Sequence, residues 1–502
     1  MGLAIVRSRA HLGMEAPEVS VEVNTAGGLP GMSIVGLPEA AVRESKDRVR
    51  AALQNCRFEF PAVRITVSLA PADLPKAGGR FDLPIALGVL VATGQLPDKL
   101  MRGAECVGEL SLDGRLRPVR GALSAAVAAA ESGHRLFLPQ ENLAEARLVA
   151  GADLRPAEHL LEICAHLAGT TRIDAAPPAC EPSALALQDG EDLGDVRGQA
   201  AARRALEISA SGGHDLLLIG PPGTGKSMLA RRLVGLLPAL AADEALEVAL
   251  VTAAADGCFD AGKWARRPFR HPHHSASVAA LTGGGAMPRP GEVSLAHQGV
   301  LLLDELPEFA RNVLESLRQP LEDRRITVAR AAARTTFPAN FQLVATMNPC
   351  ACGYRGDTRA TCRCSPDAVD RYRGRISGPL FDRLDLHIEV ARPPPARLLD
   401  GRVGEASAEV ARRVALARQT QLQRGWLNAR LPGPLLLESC GAGRDVLGLL
   451  ERAAARFGLS ARACHRILRV ARTIADMSGS SLVDQTHMAE ALSLRQLDRN
   501  HG

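Results

Sequence analysis

The sequence predicts an α/β protein, and two observations carry that class. Short apolar runs at Leu216-Leu-Leu-Ile219 and Val300-Leu-Leu-Leu303 are bounded by turn residues or acids, as buried parallel strands are. Helical patterns lie between these runs, and a glycine-rich stretch joins the first run directly to one of them. The chain has 502 residues, which at about 100–200 residues per domain favours three domains. A hydrophobic fraction of 46% excludes wholesale disorder. No uninterrupted apolar stretch approaches the ~18–20 residues of a membrane helix. The first residues lack a basic segment followed by a long apolar one. The expectation is therefore a cytoplasmic protein with no membrane partner. Aromatics at 3% argue against a base- or sugar-stacking surface as the main business.

Two proline-rich seams divide the chain. Asp174-Ala-Ala-Pro-Pro-Ala-Cys-Glu-Pro-Ser183 opens a linker read as 174–189, and Arg392-Pro-Pro-Pro395 forms a second break. The segments 1–173, 190–391 and 396–502 are each domain-sized. In the first, Val19-Ser-Val-Glu-Val23 and Arg64-Ile-Thr-Val-Ser-Leu69 alternate as strands do, and 122–132 is Ala-rich and helical. The last reads as helices, with apolar residues at three- and four-residue spacing over 410–422 and 460–477.

The strongest signal lies in the middle segment. Gly220, Pro221, Pro222, Gly223, Thr224, Gly225, Lys226 and Ser227 match G-x-x-x-x-G-K-[ST] in full. A strand precedes them and a helical run, 228–237, follows. Glycines let backbone amides converge on phosphate oxygens, and the helix offers its positive end. Lys226 reaches the β- and γ-phosphates of ATP, and Ser227 ligates Mg²⁺. Further along the chain, a second strand ends in Asp304-Glu305. Asp304 is expected to hold Mg²⁺, and Glu305 to act as general base on the attacking water. A third strand, Phe341-Gln-Leu-Val-Ala-Thr-Met-Asn348, ends in an Asn that can orient that water. Arg383 follows a short helix. By sequence alone it is either a cation for the transferred phosphoryl group or a salt-bridging surface residue.

Net charge, 60 basic against 55 acidic residues, is only +5. From Arg371 onward there are 21 Arg, no Lys and 13 acids, giving +8. That third can meet phosphates. It is also read as solvated helix faces, since only five of the basic residues are Lys and Arg is the chain's default cation.

Of eleven cysteines, Cys350, Cys352, Cys362 and Cys364 crowd into one short stretch. Four soft ligands suit tetrahedral zinc. One residue within each pair, against the usual two, leaves reduced thiols and a redox role open. His271, His273 and His274 read as a pore or nucleic-acid contact, as structural hydrogen bonding, or as metal ligands.

The order of phosphate loop, Asp-Glu strand, Asn strand and late Arg resembles AAA+ ATPases. Arg270-His-Pro-His-His-Ser-Ala-Ser277, Leu281-Thr-Gly-Gly-Gly285, Pro290-Gly-Glu-Val-Ser-Leu-Ala-His-Gln-Gly-Val300, Leu317-Arg-Gln-Pro-Leu-Glu322 and Met347-Asn-Pro-Cys-Ala-Cys-Gly353 resemble the magnesium-chelatase-like branch, in particular the ComM/YifB family. The resemblance covers nearly the whole chain. It implies a hexameric ring with ATP between subunits, a pore-directed insertion over roughly 252–296, and a C-terminal helical lid. It makes Arg383 a trans-acting finger and Arg462 the sensor arginine, with Arg466 a second candidate. It further implies a DNA motor for branch migration during integration of incoming DNA, acting on branched or single-stranded substrate. A protein-remodelling ATPase and a nucleotide-switched assembly factor are the alternatives.

Ala70-Pro-Ala-Asp-Leu-Pro-Lys-Ala-Gly-Gly-Arg80-Phe-Asp-Leu-Pro-Ile-Ala-Leu, with Gly108-Glu-Leu-Ser-Leu-Asp-Gly-Arg-Leu-Arg-Pro-Val119, resembles the Lon-protease-type (S5-like) fold. Active members use a Ser–Lys dyad. Arg80 stands at the Ser position and Leu123 near the Lys position. The implied domain is catalytically dead, a structural or DNA-contacting collar.

Overall fold

The computed structural model describes residues 2–37, 39–177, 191–285, 288–329, 334–357, 359–392 and 404–495. Most of the expected linker, from 178 on, and the prolines 393–395 lie outside the described residues. The chain divides into two compact units, Met1–Pro182 with Ala245–Trp264, and Ser183–Glu244 with Ala265–Gly502. No helix among the described residues is long and apolar enough to cross a membrane.

The first unit is built on seven strands. They are β1 (Gly2–Arg9), β2 (Glu18–Ala26), β3 (Gly31–Val35), β4 (Arg64–Ala70), β5 (Ala104–Cys106), β8 (Arg135–Pro139) and β9 (Asp153–Ala157). A separate small pair, β6 (Glu109–Leu110) and β7 (Leu116–Arg117), lies between β5 and β8 in the chain. The sheet runs β3-β4-β2-β1-β5-β8-β9. Alternation fixes its inner face: Val19, Val21 and Val23 of β2 are fully buried, while Ser20 and Glu22 are not. The helix Asp82–Ala92 covers that face and buries Leu83, Ile85, Leu87, Val89 and Leu90. A Cβ at Gly88 would come within 2.5 Å of a Val23 methyl, so only glycine fits that close approach. Arg80 and Leu123 are both buried, and none of the Arg80 guanidinium nitrogens has a hydrogen-bond partner among the described residues. Burial pushes the Arg80 guanidinium down to about 10.

Residues Ala245–Trp264 depart from the division read in the sequence, which keeps 190–391 together and begins an insertion near 252. Ala249, Ala253 and Phe259 share a core with Leu123, Ala126, Leu136 and Leu154 of the first unit. The Phe259 N–H donates to Glu145 Oε2 at 2.9 Å. The small side chains of 249 and 253 recur on one face of the helix Ala242–Asp256 and let it pack closely. The rest of the expected insertion is divided further, because Phe269–Arg270 joins the sheet of the second unit.

That second unit has a five-stranded parallel sheet. Its strands are β10 (Leu216–Ile219), β11 (Phe269–Arg270), β12 (Val300–Leu303), β15 (Gln342–Met347) and β16 (Leu386–Glu389). The order is β11-β12-β15-β10-β16. A hairpin of β13 (Arg325–Ala329) and β14 (Arg334–Pro338) precedes β15. Every residue of β10, β12 and β15 is buried, as continuous apolar runs require in a sheet covered on both faces. The helix after the phosphate loop is Lys226–Arg232, followed by a short 3-10 turn, Val234–Leu236. The single run read over 228–237 is thus two pieces. The C-terminal helices Ser407–Gln423 and Ala461–Met477 pack into the same core as the sheet, through Val410, Val414, Ile467, Val470 and Ile474. Ser460 caps the second of these, its Oγ accepting from the Ala463 N–H at 3.1 Å.

Candidate nucleotide site

The parallel sheet brings three strand ends to one edge. In register, Ile219 of β10 pairs with Met347 of β15, and Leu303 of β12 with Ala345. Gly220, Asp304 and Asn348 therefore leave the sheet side by side. Gly223 and Gly225 have φ of 74° and 82°, left-handed values that the tight loop requires and that glycine adopts without strain.

Lys226 is buried, and its Nζ donates to Gly220 O at 2.8 Å, Pro221 O at 2.9 Å and Asn348 Oδ1 at 3.2 Å. Burial lowers the affinity of its amine for a proton, while Asp304 and Glu305 oppose that shift. Ser227 Oγ lies 2.9 and 2.8 Å from the two Asp304 oxygens. Asp304 also accepts from Thr346 Oγ1, and the same hydroxyl accepts from the Glu305 N–H at 3.1 Å. One Thr thus fixes both acids. Glu305 takes a left-handed backbone, φ 56°, and its side chain is about half exposed. Thr224 Oγ1 donates to Pro221 O, and Gln199 Nε2 donates to Thr224 O at 2.6 Å. Pro222 and Gly223 are the exposed residues of the loop. Hard oxygens of Ser227 and Asp304 converge as a Mg²⁺ donor set does.

The histidines prove to be neighbours of these acids. His271 Nε2 lies 3.9 Å from Asp304 Oδ2, and His274 Nδ1 lies 3.9 Å from Glu305 Oε2. The ring of His274 also stacks against His273 at a centroid distance of 4.1 Å. The cause is sheet order. Because Arg270 of β11 pairs with Leu301 of β12, the residues leaving β11 run beside the Asp-Glu tip. Nothing in local spacing signals this, since the two motifs lie well apart in the chain. Thr346 carries no such signal, being an ordinary polar residue until the strands are paired, whereas Gln199 falls in Val196-Arg-Gly-Gln199, a stretch the sequence reading sets beside the bound ATP.

Arg383 and Arg462 do not join this cluster within one chain. Arg383 is buried and bonds Glu322 and, at 2.6 Å, Pro379 O. Arg462 is exposed in the first turn of Ala461–Met477. Arg466, one turn on, pairs with buried Asp385. The other Asp385 oxygen meets His214 Nδ1 at 3.2 Å. Burial alone would raise the Asp385 carboxyl, but Arg466 and His214 override it and hold the group below the usual carboxylate range. Arg466→Ala leaves that carboxylate buried without its cation. It is expected to destabilise the chain by about 3 kcal/mol or more, read from urea unfolding midpoints.

The four cysteines come together as their spacing suggested. All four Sγ atoms lie within 4.8 Å of one another. Cys350–Cys352, Cys350–Cys362 and Cys352–Cys362 are 3.4, 3.7 and 3.6 Å apart. The N–H groups of Tyr354 and Arg363 favour the Cys352 thiolate and bring that thiol down to about 6.

Comparison with known proteins bears on this geometry. Residues 192–398 match the family described as magnesium chelatase, subunit ChlI. Residues 21–142 match the subunit ChlI of Mg-chelatase family, and 404–495 the ChlI C-terminal family. The chain is 48% identical over 502 residues to YifB of Escherichia coli, covering 99% of this chain and 98% of that protein. It is 48% identical over 503 residues to competence protein ComM of Haemophilus influenzae, with the same coverage. With this match along nearly its whole length, and strand ends that assemble a phosphate loop against an Asp-Glu tip, the chain belongs to the magnesium-chelatase ChlI-like family, in the group that holds YifB and ComM.

Proposed function

We propose that the protein is an ATP-hydrolysing DNA motor, a homo-oligomeric ring, hexameric by family resemblance, that promotes branch migration as incoming DNA is integrated. The observation that supports the ATPase part is the Ser227–Asp304 pair set against Lys226 and Asn348. In this reading the residues 220–227 cradle the triphosphate, and Val196-Arg-Gly-Gln199 lies near the base. Ser227 and Asp304 hold Mg²⁺, which when bound neutralises charge on the phosphate oxygens. Glu305 takes a proton from the attacking water, and Asn348 orients that water. Arg383 of a neighbouring subunit meets the phosphoryl group, and to do so it must exchange its contact with Glu322. Arg462 serves as the lid's sensor. The same reading gives Cys350, Cys352, Cys362 and Cys364 to one zinc ion, with Zn–S bonds of about 2.3 Å. Edges of such a tetrahedron are about 3.8 Å, close to the sulfur separations here.

In the N-terminal domain, a guanidinium at 80 and a Leu at 123 supply neither nucleophile nor base. The domain is therefore a Lon-like collar without proteolysis. The DNA assignment is supported by the name of the Haemophilus relative, a competence protein, and by the 21 Arg after residue 370.

The test is the choice of polymer. ATPase turnover is expected to rise several-fold with branched or single-stranded DNA and to stay flat with unfolded protein. Strand exchange on forked and four-way DNA should require ATP. Stimulation by unfolded protein alone would assign a protein-remodelling engine. Slow turnover indifferent to both would assign a nucleotide-switched assembly factor.

A further inference from the structure

We infer that the zinc assigned to the four thiolates buttresses the phosphate loop, so that metal occupancy sets nucleotide affinity; this rests on the zinc reading above. The described residues of 349–364 contain no helix or strand. Such a segment orders poorly on its own, and a cross-link that closes it restricts the chain. The sulfurs are too far apart for a disulfide, which needs about 2.05 Å, and are spaced as ligands of one ion.

Between the two cysteine pairs this segment meets the phosphate loop at Pro222 in two ways. Gly353, φ 86°, lies so close that a Cβ there would stand 2.9 Å from Pro222 Cδ. Asp357 accepts from the Arg392 guanidinium at 3.1 Å. The same Arg392 nitrogen donates to Pro222 O at 3.3 Å. A third link enters from the segment's start, where Asn348, just ahead of Cys350, binds Lys226. Unclamping the thiolates frees Gly353 and Asp357 together, and Pro222 loses both supports. The metal thus acts through the backbone that wraps the phosphates, without touching nucleotide.

The experiment uses the full chain purified without chelator. Elemental analysis is expected to give one zinc per chain. A mercurial titration followed with a zinc-sensitive dye should release that zinc while affinity for a fluorescent ATP analogue falls about tenfold, the scale of outer-shell effects on a bound group. Adding zinc and dithiothreitol should restore it. Gly353→Ala should keep its zinc and still bind the analogue about tenfold more weakly. Lys226→Ala should lose nucleotide and keep zinc. The double variant Cys362→Ser, Cys364→Ser should lose zinc and bind the analogue about tenfold more weakly, with melting curves and circular dichroism monitoring its fold. If it fails to fold, the mercurial and Gly353→Ala arms decide. Protein without zinc overturns the zinc reading and the inference with it. One zinc per chain, with unchanged analogue affinity after its release and in Gly353→Ala, overturns the inference alone.

Discussion

Lys226→Ala is expected to abolish ATP binding. In the structure the ammonium is desolvated and held by two carbonyls of its own loop and by Asn348. These contacts keep a buried cation satisfied until phosphate oxygens replace them. Charge-assisted hydrogen bonds are worth about 1.5–3 kcal/mol each, so losing one to the β- and one to the γ-phosphate should raise the dissociation constant by about two to four orders of magnitude, enough to abolish binding at ordinary nucleotide concentrations. Equilibrium titration with a fluorescent analogue reads this directly. The alanine variant should melt near the wild-type temperature, because it removes a buried charge together with its contacts. An unchanged dissociation constant would contradict the phosphate-loop assignment.

Glu305→Gln should separate binding from chemistry. Glu305 sits in a left-handed turn pinned by Thr346 through its backbone N–H, and its carboxylate is free of that bond. An amide of the same shape leaves the loop and Asp304 in place but cannot take a proton. Nucleotide affinity should hold, and the rate of phosphate release should fall about 10²–10⁴-fold, the contribution of a positioned general base. Turnover at the wild-type rate would move the base elsewhere, with His274 the first residue to test, since it is the neighbour of Glu305 at 3.9 Å.

What the sequence disclosed follows from how local each signal is. The phosphate loop and the Asp-Glu tip are contiguous words, each with its own strand, and both could be read before folding. The cysteine cluster was legible for the same reason, Cys350 to Cys364 being a single short stretch. Its contact with Pro222 was not, because that contact joins segments remote from each other in the chain. His271 and His274 form a visible cluster whose spacing fits several roles. Only the pairing of β11 with β12 sets them beside Asp304 and Glu305. By resemblance Arg466 is a second sensor candidate, and in the structure it is committed to Asp385, a carboxylate 81 residues away that no spacing rule connects to it. Arg80 is legible in the sequence as an anomaly at a nucleophile position. Its burial without partners among the described residues depends on tertiary packing, which a single sequence does not display.

The shared core around Ala249, Ala253 and Phe259 has a practical consequence for dissecting the protein. The backbone crosses between the two units at three places, after residues 182, 244 and 264. A shortened form starting at Ser183 would carry the excursion Ala245–Trp264 stripped of the side chains it nests against, with bare alanines and a phenylalanine in water. Such a fragment should be prone to clumping, and its failure in an assay would say little about chemistry. Excising the first unit cleanly, or grafting a different one, requires replacing that excursion in the same operation.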